Sequence, residues 1–214
     1  MSNNLIAIQS AFDRAAEGTG VPGRASRLGI QVVKDFYLYA ALMGAGFQIR
    51  AGTISVPLVG DVVITDTAAE MAVDASSSLT IIPVRLDLSL NLNTGTLHEY
   101  AVKSVGAASS AGTAFVPLPL LLGGTAASST ARVQAAGAVT VAAELDTTTR
   151  RHWSYSNPVA GGAGNDASPL AWEPKMPPII KGLGCLYVQV AATTTGPSYF
   201  ASLDYLEFSS ALLF

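Results

Sequence analysis

The chain has 214 residues, 50% of them hydrophobic and 13% charged, with a formal net charge of -3. The charged share is about half that of an ordinary globular protein, and the hydrophobic share excludes the polar, highly charged composition of disordered chains. Twelve basic residues stand against fifteen acidic ones along the chain, which leaves no electrostatic footprint for phosphates and disfavours free nucleic-acid binding. A single cysteine, Cys185, excludes an internal disulfide framework and a Cys-rich zinc site.

Residues 4–17 form the first predicted element, a short helix. Leu5, Ile8, Phe12 and Ala15 recur at three-to-four spacing, and Gly18 and Gly20 stop the pattern. A linker with Arg24 and Arg27 follows. Residues 31–43 fit a second helix, with Val32, Val33, Phe36, Tyr37, Ala40 and Ala41 on one stripe and Gly44 as the stop. A strand pair competes there, because Val, Phe and Tyr also favour sheets.

After Gly46 the period becomes two. Phe47, Ile49 and Ala51 alternate, as do Ile54, Val56 and Leu58, with Gly60-Asp61 as a turn. The cleanest strand spans residues 82–93: Ile82, Val84, Leu86, Leu88, Leu90 and Leu92 are expected on one face, with Pro83, Arg85, Asp87, Ser89, Asn91 and Asn93 on the other. Asn93-Thr94-Gly95 predicts a hairpin into residues 98–105. Residues 106–113 and 123–130 read as Ala/Ser/Gly-rich loops around the apolar block 115–122, which is too short for a span of roughly 20 residues. Strand composition returns over 133–145. Residues 157–178 are a long Gly- and Pro-rich irregular segment, and strands at 183–192 and 199–208 close the chain before an apolar tail.

This pattern predicts a mainly β chain: an antiparallel β-sandwich behind a short helical N-terminal arm, with long loops. The arm covers residues 1–45 with one or two helices, the sandwich 46–210 and the apolar tail 211–214. The N-terminus carries no pattern of a signal peptide, so the chain is expected to be soluble and without membrane contact. That expectation, together with the Ala-rich loops, also speaks against an outer-membrane barrel.

Catalytic signals are sparse. His98-Glu99 begins a metalloprotease-like string that Val102 breaks, and His98 is expected at a strand end on the wet face. No nucleophile elbow, phosphate loop or dinucleotide fingerprint occurs. Cys185 reads as a small buried hydrophobe. Asp61, Asp66, Glu70 and Asp74 could offer oxygens to calcium, but Ala68, Ala69, Met71 and Ala72 among them favour a short helix with a solvated acidic face. With no metal cluster and no nucleophile–base pair, no cofactor is expected and an enzyme is disfavoured.

Two classes remain. The arm, the loop-separated strands, the low charge and the apolar tail resemble a viral or phage jelly-roll virion protein. Ile82-Pro83-Val84-Arg85-Leu86-Asp87-Leu88-Ser89-Leu90 and Leu186-Tyr187-Val188-Gln189-Val190 carry that likeness, with residues 199–208. The resemblance implies a capsid or capsid-decorating subunit in the virion, made in the host cytoplasm and acting by assembly. Its partners would be further copies of the chain, in a homo-oligomer such as a trimer, and other virion proteins, without direct nucleic-acid binding. Candidate assembly contacts are Leu5, Ile8 and Phe12 on the arm and Leu212, Leu213 and Phe214 on the tail. The alternative is a ligand-binding sandwich, a carbohydrate-binding or receptor-binding module, with Arg150, Arg151, Trp153, Tyr155 and Trp172 as candidate contacts. For Arg150 and Arg151 the plainer reading is arginine stems snorkelling over aromatic rings.

Overall fold

The computed structural model describes residues 36–92, 97–135, 137–143, 149–156, 170–193 and 196–212. The predicted first helix lies outside them. The second is present as α1 (Phe36–Leu42). It ends where Gly44 turns left-handed at φ 78, with Ala45 N–H bonded to the Ala40 carbonyl and Gly44 N–H to that of Ala41.

The period of two then produces strands. In chain order they are β1 (Gly46–Ala51), β2 (Leu58–Val59), β3 (Ala68–Ala69), β4 (Met71–Ala75), β5 (Leu79–Leu92), β6 (Leu97–Val105), β7 (Ser110–Ala111) and β8 (Thr113–Phe115). There follow β9 (Leu118–Pro119), β10 (Thr130–Val133), β11 (Val139–Thr140), β12 (Thr149–Ser156), β13 (Leu170–Trp172), β14 (Ile180–Lys181), β15 (Gly184–Ala192) and β16 (Ser198–Ser209). A 3-10 turn, Ser210–Leu212, closes the described chain.

Two antiparallel sheets face each other as a sandwich. One has the order β13-β5-β16-β1-β9, with β14 beside β5 and β2 beside β16; the other has the order β12-β6-β15-β4-β10-β8. One core joins them: Ile49, Leu86, Leu88, Tyr199, Leu203 and Tyr205 from the first sheet meet Met71, Val73, Tyr100, Val102, Leu186 and Val188 from the second.

The long connection between β6 and β12 contains short strands: β7 within the expected loop 106–113, β9 within the apolar block 115–122, β10 at the end of the expected loop 123–130, and β11 within 133–145, where strand was expected. Its β9 pairs with β1, and its β10 pairs with β4. One insertion thus covers the same-side edge of both sheets, which would otherwise expose unpaired backbone groups. A third small sheet, β3-β11-β7, lies on the outer face of the second sheet. There Ala69, Val139 and Val141 bury Ala72, Cys185 and Tyr187, which is why every residue of β4 and β15 is buried.

β5 and β6 do not pair as the hairpin predicted around 93–95, whose turn residues lie outside the described ones. β5 pairs with β16, β13 and β14 in one sheet, while β6 pairs with β15 and β12 in the other. The chain changes sheets between them. The expected single apolar face of residues 82–93 is also corrected. The β5–β16 register jumps from Arg85↔Asp204 to Pro83↔Tyr205, leaving Val84 as a bulge. Pro83 has no N–H for a ladder, and bulges are where sheets tolerate proline. After the bulge Leu86 and Leu88 face the core; before it Leu79 and Ile81 do. Ile82 and Val84 turn outward to pack with Leu206 and Phe208 under Ala40 and Tyr37 of α1. The acidic window 61–74 is likewise no helix: it holds β3 and β4, with Glu70 and Asp74 buried.

At one end of the sandwich the segment around Gly60 docks on the β15–β16 turn. Gly60 N–H bonds to the Pro197 carbonyl and Ala192 N–H to that of Asp61. A Cβ on Gly196 would lie 1.7 Å from the Gly60 oxygen, so only glycine permits this backbone approach.

Candidate functional site

An outward-facing apolar set lies at the corner where α1 meets β9. The helix contains neither an acid in its first turn nor a base in its last. Its inner residue Ala40 is buried, and Phe36 leans on Phe208 with ring centroids 6.4 Å apart. The other face presents Leu38, Leu42 and Met43, each about half exposed, and part of Phe36.

The 118–122 segment runs beside it. Leu120 N–H bonds to the Gly46 carbonyl at 2.9 Å, and a Cβ on Gly46 would touch both Ala41 and Leu120 at 3.1 Å. Leu120, Leu121 and the wholly exposed Leu122 extend the apolar surface. No charged residue occurs in 36–49 or in 104–131, the second stretch being flanked by Lys103 and Arg132. Two uncharged segments, distant in sequence, therefore adjoin. A contiguous apolar surface of this kind marks an interaction site more often than chance exposure does.

The candidate assembly residues Leu5, Ile8, Phe12, Leu213 and Phe214 lie outside the described residues. Leu212 closes the final 3-10 turn, and its side chain is outside them too.

The candidate ligand residues do not converge. Arg150, Arg151 and Trp153 lie on β12. Arg150 Nε donates to Ser104 Oγ at 2.8 Å, and the Arg151 guanidinium lies 5.2 Å from the Trp153 ring centroid. This is the snorkelling arrangement, with Trp153 itself packed against the core. Tyr155 is on the same strand, its side chain outside the described set. Trp172 belongs to β13 in the opposite sheet and is buried in the core, so its ring offers no face for stacking.

The histidines and acids also find specific places. His98 is fully buried, contrary to a wet-face position, and stacks on Tyr100 with centroids 6.3 Å apart. Cys185 is buried, and that burial pushes its thiol well above the usual range, with Asp74 adding to it. Glu70 accepts Val190 N–H at 2.8 Å and Asp61 N–H at 3.4 Å. Burial pushes its carboxyl well above the usual glutamate range; the Asp61 charge pushes the same way, and the two backbone bonds oppose them. Among the described residues no three His, Cys, Asp or Glu side chains gather as a metal site. The sequence could not show Glu70 as buried, because the backbone groups that its carboxylate accepts from, at Val190 and Asp61, are brought to it by the fold.

Neither models of known protein families nor curated proteins match this chain.

Proposed function

We propose that this chain is a virion structural protein, a capsid or capsid-decorating subunit that acts by self-assembly and by contacts with neighbouring virion proteins. The observation that carries the reading is the apolar corner of α1 and residues 118–122. Burying such a surface on a second copy would release roughly 25 cal/mol per Å², less the cost of ordering.

Strand order supports the same reading. Counting β1, β4, β5, β6, β12, β13 with β14, β15 and β16 as eight strands, the sheets run sixth-third-eighth-first and fifth-fourth-seventh-second. That order matches the connectivity of a jelly roll, a frequent capsid architecture that other functions share, and so supports the reading. The scarcity of charge fits a surface largely covered by other chains.

The test is the mass of native, untagged protein by analytical ultracentrifugation, beside a Leu38→Asp/Leu42→Asp variant. Both leucines are exposed, so the variant keeps its strand content. Large particles from the native protein, and smaller species from the variant, are expected. A native protein found only as a 22.0 kDa monomer, never bound to particles, overturns the reading.

A further inference from the structure

We infer that the outer face of the first sheet carries a binding site for a neutral saccharide, formed where β1, β16 and β5 lie side by side. The inference goes beyond the assembly reading and stands without it.

The register sets the site. Arg50 pairs with Ser202, and Ser202 with Asp87, making one row across three strands; Phe200 pairs with Ser89 in the next row. The neighbouring residues Ile49, Ala51, Leu88, Ala201 and Leu203 belong to the core. Because side chains alternate along a strand, Arg50, Ser202, Asp87, Phe200 and Ser89 share the opposite, outer face. They line a groove of about 670 Å³ with the 52–55 loop, whose Thr53, Ile54 and Ser55 form its wall. Sites for small ligands span this volume and combine apolar walls with a few fixed polar groups.

Each group has a role that fits a sugar. Phe200 offers part of a ring, and it leans over Gly52: a Cβ there would meet the ring at 2.8 Å. Gly52, at φ 85, therefore leaves room for the aromatic platform, onto which the C–H face of a hexose can stack. Arg50 is exposed, and its guanidinium can donate to sugar hydroxyls. Asp87 is fixed by Arg85, whose Nε and Nη2 donate to it at 2.6 and 2.9 Å. A carboxylate has about four lone-pair positions, so acceptor capacity remains for sugar hydroxyls. Ser89 and Ser202 can both donate and accept.

Charge selects the class. Arg50 faces Asp87 two strands away, about 10 Å by strand spacing, and Asp204 lies in the row beyond, bonded to Gln48. Arg85, paired with Asp87 and opposite Asp204, completes the balance: two cations stand against two acids, so the face holds no net charge that would favour an anionic sugar. A neutral saccharide uses donor and acceptor together.

The experiment is a titration of the full chain, in its native assembly state, with lactose, maltotriose, chitotriose and mannotriose, and with sialyllactose as the charged comparison. At least one neutral sugar is expected to bind. Arg50→Ala and Phe200→Leu should each weaken that binding by about tenfold or more, while Trp153→Leu leaves it unchanged. Phe200→Leu keeps an apolar side chain over Gly52, and the exposed Arg50 tests the site without disturbing the core. Absence of binding by all four neutral sugars at millimolar concentration overturns the inference. So does binding that survives both substitutions, or sialyllactose binding more tightly than lactose. Particle mass is read separately, so failure here and failure of the assembly reading are distinct results.

Discussion

Asp74 takes both hydrogen bonds that Ser109 can donate: its carboxylate accepts the Ser109 backbone N–H at 2.8 Å and the hydroxyl at 2.7 Å, and all three groups are buried. The contact fastens the start of the β6–β12 insertion to β4. Asp74→Ala leaves a buried N–H and a buried hydroxyl without their acceptor, and should cost about 2–4 kcal/mol in urea unfolding. Asp74→Asn retains one acceptor and should cost less. Equal stability of wild type and alanine variant would refute this role.

The middle of the same insertion is held by Glu207 on β16. Its two carboxylate oxygens accept Ser128 and Ser129 N–H at 2.8 and 2.9 Å, while Ser129 and Tyr205 share a hydroxyl contact at 2.7 Å. Glu207→Ala should cost about 1–2 kcal/mol and speed amide exchange over 126–133, with β5 and β15 unaffected. Unchanged exchange there would show that the clamp does not hold the insertion.

Glu70 makes stability depend on pH in a direction opposite to an ordinary paired carboxylate. Its folded-state pKa is raised, by burial first and by Asp61 second, so the fold binds this proton more tightly than the unfolded chain does. The stabilisation is complete below the unfolded value, about 4.3, and is lost as pH rises through the folded value. Each pH unit in that window costs at most about 1.4 kcal/mol for one group. Asp61 and the buried Tyr199, whose own hydroxyl is pushed up by burial and by these two acids, are the titratable groups around it. Glu70→Gln should flatten this part of the profile in denaturant unfolding between pH 4 and 8. A Glu70→Gln variant whose profile has the same slope as wild type across the window would contradict the assignment.

The Gly60–Gly196 approach predicts a steep cost for one methyl group. Gly196→Ala forces two backbones apart and should destabilise by about 3 kcal/mol or more. Gly106→Ala, where a Cβ would meet nothing within 4 Å, should be close to neutral. Thermal melts of the pair decide it.

Particular residues show how far the sequence reaches. Cys185 was legible as buried because a small thiol in an apolar strand has few other places to go. The Arg151–Trp153 contact was legible because arginine next to aromatics tends to lie over them. His98 was not: the strand pattern around it fits one wet face, and β12 and β15 on either side are supplied by residues far along the chain. Asp74 and Glu70 were hidden for the same reason, since their acceptors' partners come from 109 and 190. The bulge at Val84 had a visible signal in Pro83, whose missing N–H is incompatible with an unbroken central ladder. The saccharide groove had none, because Arg50, Asp87 and Phe200 are brought together by register alone.

The sequence by itself determined that the chain after Gly46 is mainly β and that its charge is sparse. Those follow from the side-chain period and from composition, which are local. Only the tertiary structure decided which sheet each strand joins, that residues 92 and 97 belong to opposite sheets, and that a third small sheet buries the outer side of β4 and β15. A period of two states which residues share a face; it carries no information about which strand lies beside them or what covers the other side.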